Sequence, residues 1–284
     1  MLGCGPARTG GVRVDPALRL LVPHDTVLLA GINMDALRKT PWFEKASLPL
    51  LDHFEKRTGL NVREDLWQAL FVSDGVHSAL LARGRFAEQG LEPRIQPPGM
   101  VRTPYKGHTL IGNKESAFTF VNSTVVVAGP PEAVKFILDQ RGRSQGPPEA
   151  LWQAALSVPA DNQIWLAATG GLTPLAKAAP PSGNLANLAR IFSALESAIA
   201  GADLRNGLKA FAQGEARTEE EARSLAGGIR GLIELARLSA SDPVLQEVCN
   251  AIRLEPQGRM VRLDIELSPE LFDRAYTRAL SFFD

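Results

Sequence analysis

The side chains with the widest chemical repertoire in this chain are four histidines, His24, His53, His77 and His108, all in its first half. A neutral imidazole is a good metal ligand and carries protons near neutral pH. A fold that gathered them would build a metal or acid–base site. Their spacing argues otherwise, because no two stand at ligand distance on one element. His53 lies in helical sequence beside Asp52 and Glu55, and His108 lies in the turn-like Tyr105-Lys106-Gly107-His108-Thr109. The expectation is scattered structural or surface histidines, with no metal and no other cofactor.

The carboxylates read similarly. Asp35, Glu64, Asp65 and Asp74 fall near turns or helix starts. General acid–base work needs two such groups held close with separated pKa values. Capping is the ordinary use of Asp35 and Asp74. Glu219-Glu220-Glu221 stands where a helix begins and complements the positive end of its dipole. Cys249 ends an apolar helical stretch and reads as a small buried hydrophobe. Cys4 and Cys249 sit at opposite ends of the chain with no CxxC pair, which argues against a disulfide framework or a cysteine-rich zinc site. Trp42, Trp67, Trp152 and Trp165 are too dispersed for a base-stacking platform. Asn122-Ser123-Thr124 fits the glycosylation sequon, but a hairpin turn explains it. The chain contains no G-x-S-x-G elbow, P-loop, HExxH or strand-linked G-x-G-x-x-G. No catalytic, cofactor-binding or metal-ligating residue is assigned from the sequence.

Those residues are carried by an ordinary globular composition. Apolar residues make up 45% and charged residues 22%, and 31 basic residues balance 31 acidic ones. A nucleic-acid binder draws much of its affinity from a basic excess, so nucleic acid is not expected as a partner. With 284 residues, the chain is long enough to bury a core without covalent staples. No apolar run reaches the roughly 18 residues of a membrane helix.

The elements that position these groups fall into two similar series. Val22-Pro23-His24-Asp25 leads into a strand-like run from Thr26 to Ile32, then a helical signal at Asp35-Ala36-Leu37. Val158-Pro159-Ala160-Asp161 leads into Gln163–Ala168, then Leu172-Thr173-Pro174-Leu175. Each VP-x-D follows a short apolar helical stretch, Ala17–Leu21 or Leu151–Leu156. Later in each half a strand runs into an acidic helix start. The Gly/Pro-rich stretch 140–148 is the expected boundary. It leaves a flexible tether over 1–14, a first α+β unit over 15–145 and a second over 146–284.

Strand signals alternate. In Val261-Arg262-Leu263-Asp264-Ile265-Glu266-Leu267 every second residue is apolar, so one face is dry and one wet. With Ile252 and Leu254 just before it, this is a hairpin turning at Pro256-Gln257-Gly258. Ala117–Val121 and Thr124–Ala128 form a second hairpin, and Asn206-Gly207 marks a third. One wet face favours antiparallel pairing. The expected fold is α+β, with two related halves, each a mainly antiparallel sheet covered on one face by helices. Helix signals include Thr218 capping toward Glu221, and Asp242-Pro243, Ser268-Pro269 and Thr40-Pro41 starts. Pro49 is expected to break the helix that follows Thr40-Pro41, and Gly59 to end it.

The segment from Glu219 to Leu238 carries a buried stripe at three-four spacing: Ala222, Leu225, Ala226, Ile229, Leu232, Ile233 and Ala236. The opposite side holds Gly227, Gly231, Leu235 and Leu238, with Gly228 beside them. Each interior glycine costs about 1 kcal/mol relative to alanine. The expectation is a second interface there. Its two candidate occupants are the helix from Pro269 to Phe283, bearing Phe272, Tyr276, Phe282 and Phe283, and a partner subunit.

Met1-Leu2-Gly3-Cys4 matches the end of a bacterial lipobox, and residues 5–14 read as a Gly-rich basic tether. Cys4 is therefore the candidate lipid anchor, although no apolar segment precedes it. Thr58-Gly59-Leu60-Asn61 with Asp65, then Arg83-Gly84-Arg85-Phe86, Tyr105-Lys106-Gly107-His108-Thr109-Leu110 and Val125-Val126-Val127-Ala128-Gly129, come in one order. With VP-x-D in each half, the chain resembles a group of uncharacterised bacterial cell-envelope proteins, many of them predicted lipoproteins. The resemblance implies export to the envelope, and no activity, cofactor or catalytic residue. The expected function is a non-catalytic exported interaction or structural protein, with an envelope partner and a membrane tether at Cys4. The rival readings are a hydrolase and a small-ligand carrier using a cleft between the halves; failing export, the protein would be cytoplasmic.

Overall fold

A computed structural model describes residues 10–45, 52, 61–86, 99–142, 145–170, 194–239 and 242–280. The expectations placed on Cys4, Pro49, His53, Gly59, the Leu172-Thr173-Pro174-Leu175 segment, Phe282 and Phe283 lie outside these residues. Twelve strands form one antiparallel sheet in the order β11-β12-β10-β9-β8-β1-β2-β3-β7-β6-β5-β4. At its centre β1 (Leu28–Asn33) pairs with β8 (Ile164–Ala168), Leu28 opposite Ala168 and Ile32 opposite Ile164. The strands on either side of residue 145 therefore belong to one continuous sheet, joined by a backbone ladder.

On the first side of that seam come β2 (Leu66–Ser73), β3 (Ser78–Gly84), β7 (Val125–Gly129), β6 (Ala117–Asn122), β5 (His108–Gly112) and β4 (Val101–Tyr105). On the other side come β9 (Leu195–Asp203), β10 (Leu208–Ala216), β12 (Met260–Leu267) and β11 (Ile252–Gln257). The three expected hairpins are present. The β4–β5 turn places Lys106 at φ 46° and Gly107 at φ 82°, the two positive values of a type I′ turn, whose twist matches the strands it joins.

Successive strand residues point to opposite faces, so Leu28 and Leu29 belong to different cores. Leu29 joins Leu70, Leu81, Val127 and Trp165 on the first face. That face is covered by α1 (Pro16–Arg19), α5 (Pro131–Gln140) and α6 (Glu149–Ser157) through Leu18, Val134, Ile137, Leu151 and Ala155. Leu28 joins the second face, where α7 (Glu219–Ser239) brings Ala222, Leu225 and Ala226 against Leu195, Ala216 and Val261. Further along the second face, α2 (Met34–Leu37), α3 (Pro41–Lys45) and α4 (Val62–Asp65) supply Met34, Leu37, Phe43 and Val62. Phe272 of α9 (Pro269–Leu280) packs on this group, with its ring 5.4 Å from that of Trp42. The short α8 (Pro243–Asn250) bridges α7 and α9. Helices thus lie on both faces of the sheet, whereas the wet-and-dry alternation predicts one covered face.

Candidate functional site

The second half of the first face carries a concave surface. Here β9, β10, β12 and β11 show a groove of about 640 Å³. Its floor is Ile199, Phe211, Gln213, Arg262 and Asp264; Pro159, Asp161 and Asn162 stand on one side and Asn250, Ala251 and Arg253 on the other. Period two puts these residues together. Phe211 lies opposite Gly201 on β9 and opposite Asp264 on β12, and Gln213 lies opposite Ile199 and Arg262.

The charges in the groove hold one another. Arg262 donates to both oxygens of Asp264 at 2.8 and 2.7 Å. Its guanidinium carbon also lies 4.8 Å from the Phe211 ring centroid. Lys209 meets Glu266 at 2.9 Å. Arg205 donates to Asp203 at 2.7 to 3.1 Å and meets Asp161 at 3.1 Å. Partial burial pushes the Asp203 carboxyl up, but hydrogen bonds from Arg205 and Gln163 outweigh it, and the net pKa falls below the usual carboxylate value. The hydrogen bond from Lys209 lowers Glu266 as well, and the Asp264 partner raises Arg262. The shifted acids thus move the same way. An acid–base pair needs them pushed apart.

A second hollow, of about 520 Å³, lies beside the seam on the same face, lined by Val12–Pro16, Asn33, Trp67, Gln68, Arg83 and Trp152. Gln68 ties the N-terminal segment down there: its amide donates to the Arg13 carbonyl at 2.6 Å and its oxygen accepts from the Asp15 backbone at 2.7 Å. Arg83 adds a 3.1 Å pair with Asp15.

The residues singled out for possible chemistry are spread over the molecule. His24 is exposed in the turn before β1. His77 meets Asp74 at 2.9 Å and stacks on Phe136, 5.4 Å away. The Ser78 hydroxyl beside it donates to Ser73. His108 contacts Arg141 at 3.2 Å. Asp74 accepts from the backbones of Val76 and His77, the turn-capping use expected of it. Asp35 pairs with Arg38, and Asn33 caps α2 instead. Asp65 is 2% exposed and holds Arg85 at 3.0 Å, while Glu64 is exposed. Thr218 caps α7, and Asn122 closes its turn by accepting from Thr124. Cys249 is half-buried, not fully buried. Among the described residues no three His, Cys, Asp or Glu side chains gather as a cation cage, and no helix is long and apolar enough to cross a membrane.

On α7, Ala222, Leu225 and Ala226 are buried as expected, but Ala236 is exposed. Leu235 and Leu238 are 62% and 79% exposed. A Cβ added at Gly227, Gly228 or Gly231 would meet nothing within 4 Å. Helix α9 packs on α8 and Trp42 and so does not cover the glycine face.

The class defined by this geometry is an α+β protein whose described residues build a twelve-stranded antiparallel sheet with helices on both faces. No family model and no curated protein matches the sequence. Similar folds occur among solved structures. Crystal form IV of TP0453 is 13% identical, covers 94% of this chain and 97% of its own, and gives a TM-score of 0.52. Form III is 12% identical over 93% and 99%, with a TM-score of 0.51. The likeness spans nearly the whole chain and concerns the fold alone.

Proposed function

We propose that this chain is a non-catalytic, exported interaction or structural protein, held at the cell envelope through Cys4, and that its two halves are duplicates of one unit. The functional reading is carried by the groove on β9–β12: pre-paired charges line and edge it around one aromatic ring. Paired charges of this kind fix register and reject wrong partners more than they drive chemistry.

Several features support the duplication. Outward from the seam the strands run β1-β2-β3-β7-β6 on one side and β8-β9-β10-β12-β11 on the other. Each series follows a short helix and a Val-Pro turn, and each closes with a helix after its last strand. Val22 and Val158 stand 136 residues apart, as do Ala30 and Leu166, which face each other at the centre of the β1–β8 ladder. With that offset Leu28 corresponds to Ile164 and Ile32 to Ala168, so each β1 residue faces the counterpart of its mirror position. A two-fold axis through the seam requires this register. Asp74 and Asp203 close the corresponding β2–β3 and β9–β10 turns by accepting from backbone amides two residues on.

The test places a photocrosslinker at Gln213 in the groove and, as a control, at the distant exposed Lys114, in cells producing the chain with its upstream sequence. One envelope protein trapped from Gln213 but not from Lys114, and lost with Arg262→Glu, is the expected outcome. Mass spectrometry should find Cys4 acylated in the membrane fraction. An unmodified cytoplasmic protein that traps nothing at either position would overturn the reading.

A further inference from the structure

Helix α7 is long enough to have two careers along one axis. Its inner face seals the sheet through Ala222, Leu225 and Ala226. Its outer face and its last two turns carry apolar surface into solvent at Leu235 and Leu238. We propose that this outer face is a dimer interface, and that its occupant is α7 of a second copy, running antiparallel. The inference rests on reading the protein as one that works by interaction, and it names one partner.

The charge pattern selects both the partner and the direction. The first turn is acidic, with Glu219 and Glu220, and the later turns carry Arg230 and Arg237. A parallel pair would set Glu220 against Glu220 and Arg237 against Arg237. An antiparallel pair centred between Gly227 and Gly231 instead sets Glu220 beside the second copy's Arg237, and Arg223 beside its Glu234. It also opposes the two helix dipoles. Both contacts occur twice, because a two-fold interface uses the same patch on each copy. In that register Gly227 lies over the second copy's Gly231. The open space at those glycines lets the backbones approach closely, and Leu238 reaches across the second copy's first turn. Arg237 has only to turn from its neighbour Glu234, which it meets at 2.5 Å. One helix pair lies below the area of a standard interface, so the association should be weak, on the order of micromolar.

Analytical ultracentrifugation of the full chain from about 1 to 200 µM tests this. The mass should rise from 30.6 kDa toward twice that value. Leu238→Glu should remain monomeric throughout while keeping the parent's melting temperature at low concentration. Glu220→Arg and Arg237→Glu should each weaken the dimer about tenfold, and together restore it to within about threefold. A constant monomer mass overturns the proposal, as does a monomer that instead co-sediments with anionic phospholipid vesicles through the same leucines. Singles that weaken and a double that fails to restore overturn the antiparallel register. Persistent trapping at Gln213 by a monomer leaves the envelope reading intact and sinks only this one.

Discussion

The first face of the sheet is finished differently on its two sides. Beside β3 and β7, helix α5 buries Ala133, Val134, Ile137 and Leu138 and dries the surface. Beside β10 and β12 the chain again ends its strands with a helix, but α9 crosses to the other face, packs on Trp42 and buries none of its residues fully. The groove left behind keeps Arg262, Asp264, Lys209 and Glu266. One sheet can therefore carry a sealed core and an open charged groove, according to which face the trailing helix takes. Position along the sheet does not decide it.

That contrast has a large and a small side in energy. Leu81 is 0% exposed beneath α5, so Leu81→Ala should cost about 2–5 kcal/mol. Phe211 is only half-buried, so Phe211→Ala should cost roughly 1–2 kcal/mol. Denaturant melts of the two variants measure the difference; equal losses would mean the groove is as sealed as the core. At the seam, a Cβ on Gly31 would lie 2.3 Å from the Trp165 ring. Gly31→Ala should destabilise the protein by about 1–3 kcal/mol, and a neutral result would show that the seam is not tightly joined.

A smaller effect concerns pH. The folded Asp203 carboxyl titrates below its free value of 3.8. Its ionic contacts therefore contribute stability above the unfolded pKa, and that contribution is lost as pH falls through the folded one. Asp203→Asn should lower stability at pH 7 by under about 1 kcal/mol, given its solvent access. It should also flatten the acid-induced loss below about pH 4, read from melting curves at several pH values. The smallest effect has the opposite sign. Gly228 is exposed in mid-helix with open space around it, so Gly228→Ala should stabilise the dilute protein by roughly 0.5–1 kcal/mol. A loss instead would mean that something already packs there within one chain.

Much of this was legible in the residues. The Val261–Leu267 alternation, the Asn122-Ser123 turn and the stripe of α7 all reported their structures directly, because each is a local pattern. Strand β9 is legible only through the Asn206-Gly207 turn that follows it. Leu195-Glu196-Ser197-Ala198-Ile199-Ala200-Gly201-Ala202 has the small residues of a helix and no β-branched run. It is a strand because two neighbours pair with it and α7 packs over its end, which is tertiary context overriding propensity. The groove was equally hidden. Its residues are spread from Ser157 to Glu266, and α9 packs on Trp42, far away in sequence. The overhang at Ala236 is not legible, because three-four spacing reports a stripe but not where the sheet beneath it ends.

The β1–β8 ladder also sets an order of events for a chain made from its N-terminus. Until residue 168 exists, β1 has β2 on one side and nothing on the other. At about 5–20 residues per second, the 136 residues separating those partners take on the order of 10 s to emerge. Throughout that interval a strand bearing Leu28, Leu29 and Ile32 offers an open edge to any other nascent chain. The safest moment in this protein's synthesis therefore comes late, when the middle of the sheet closes.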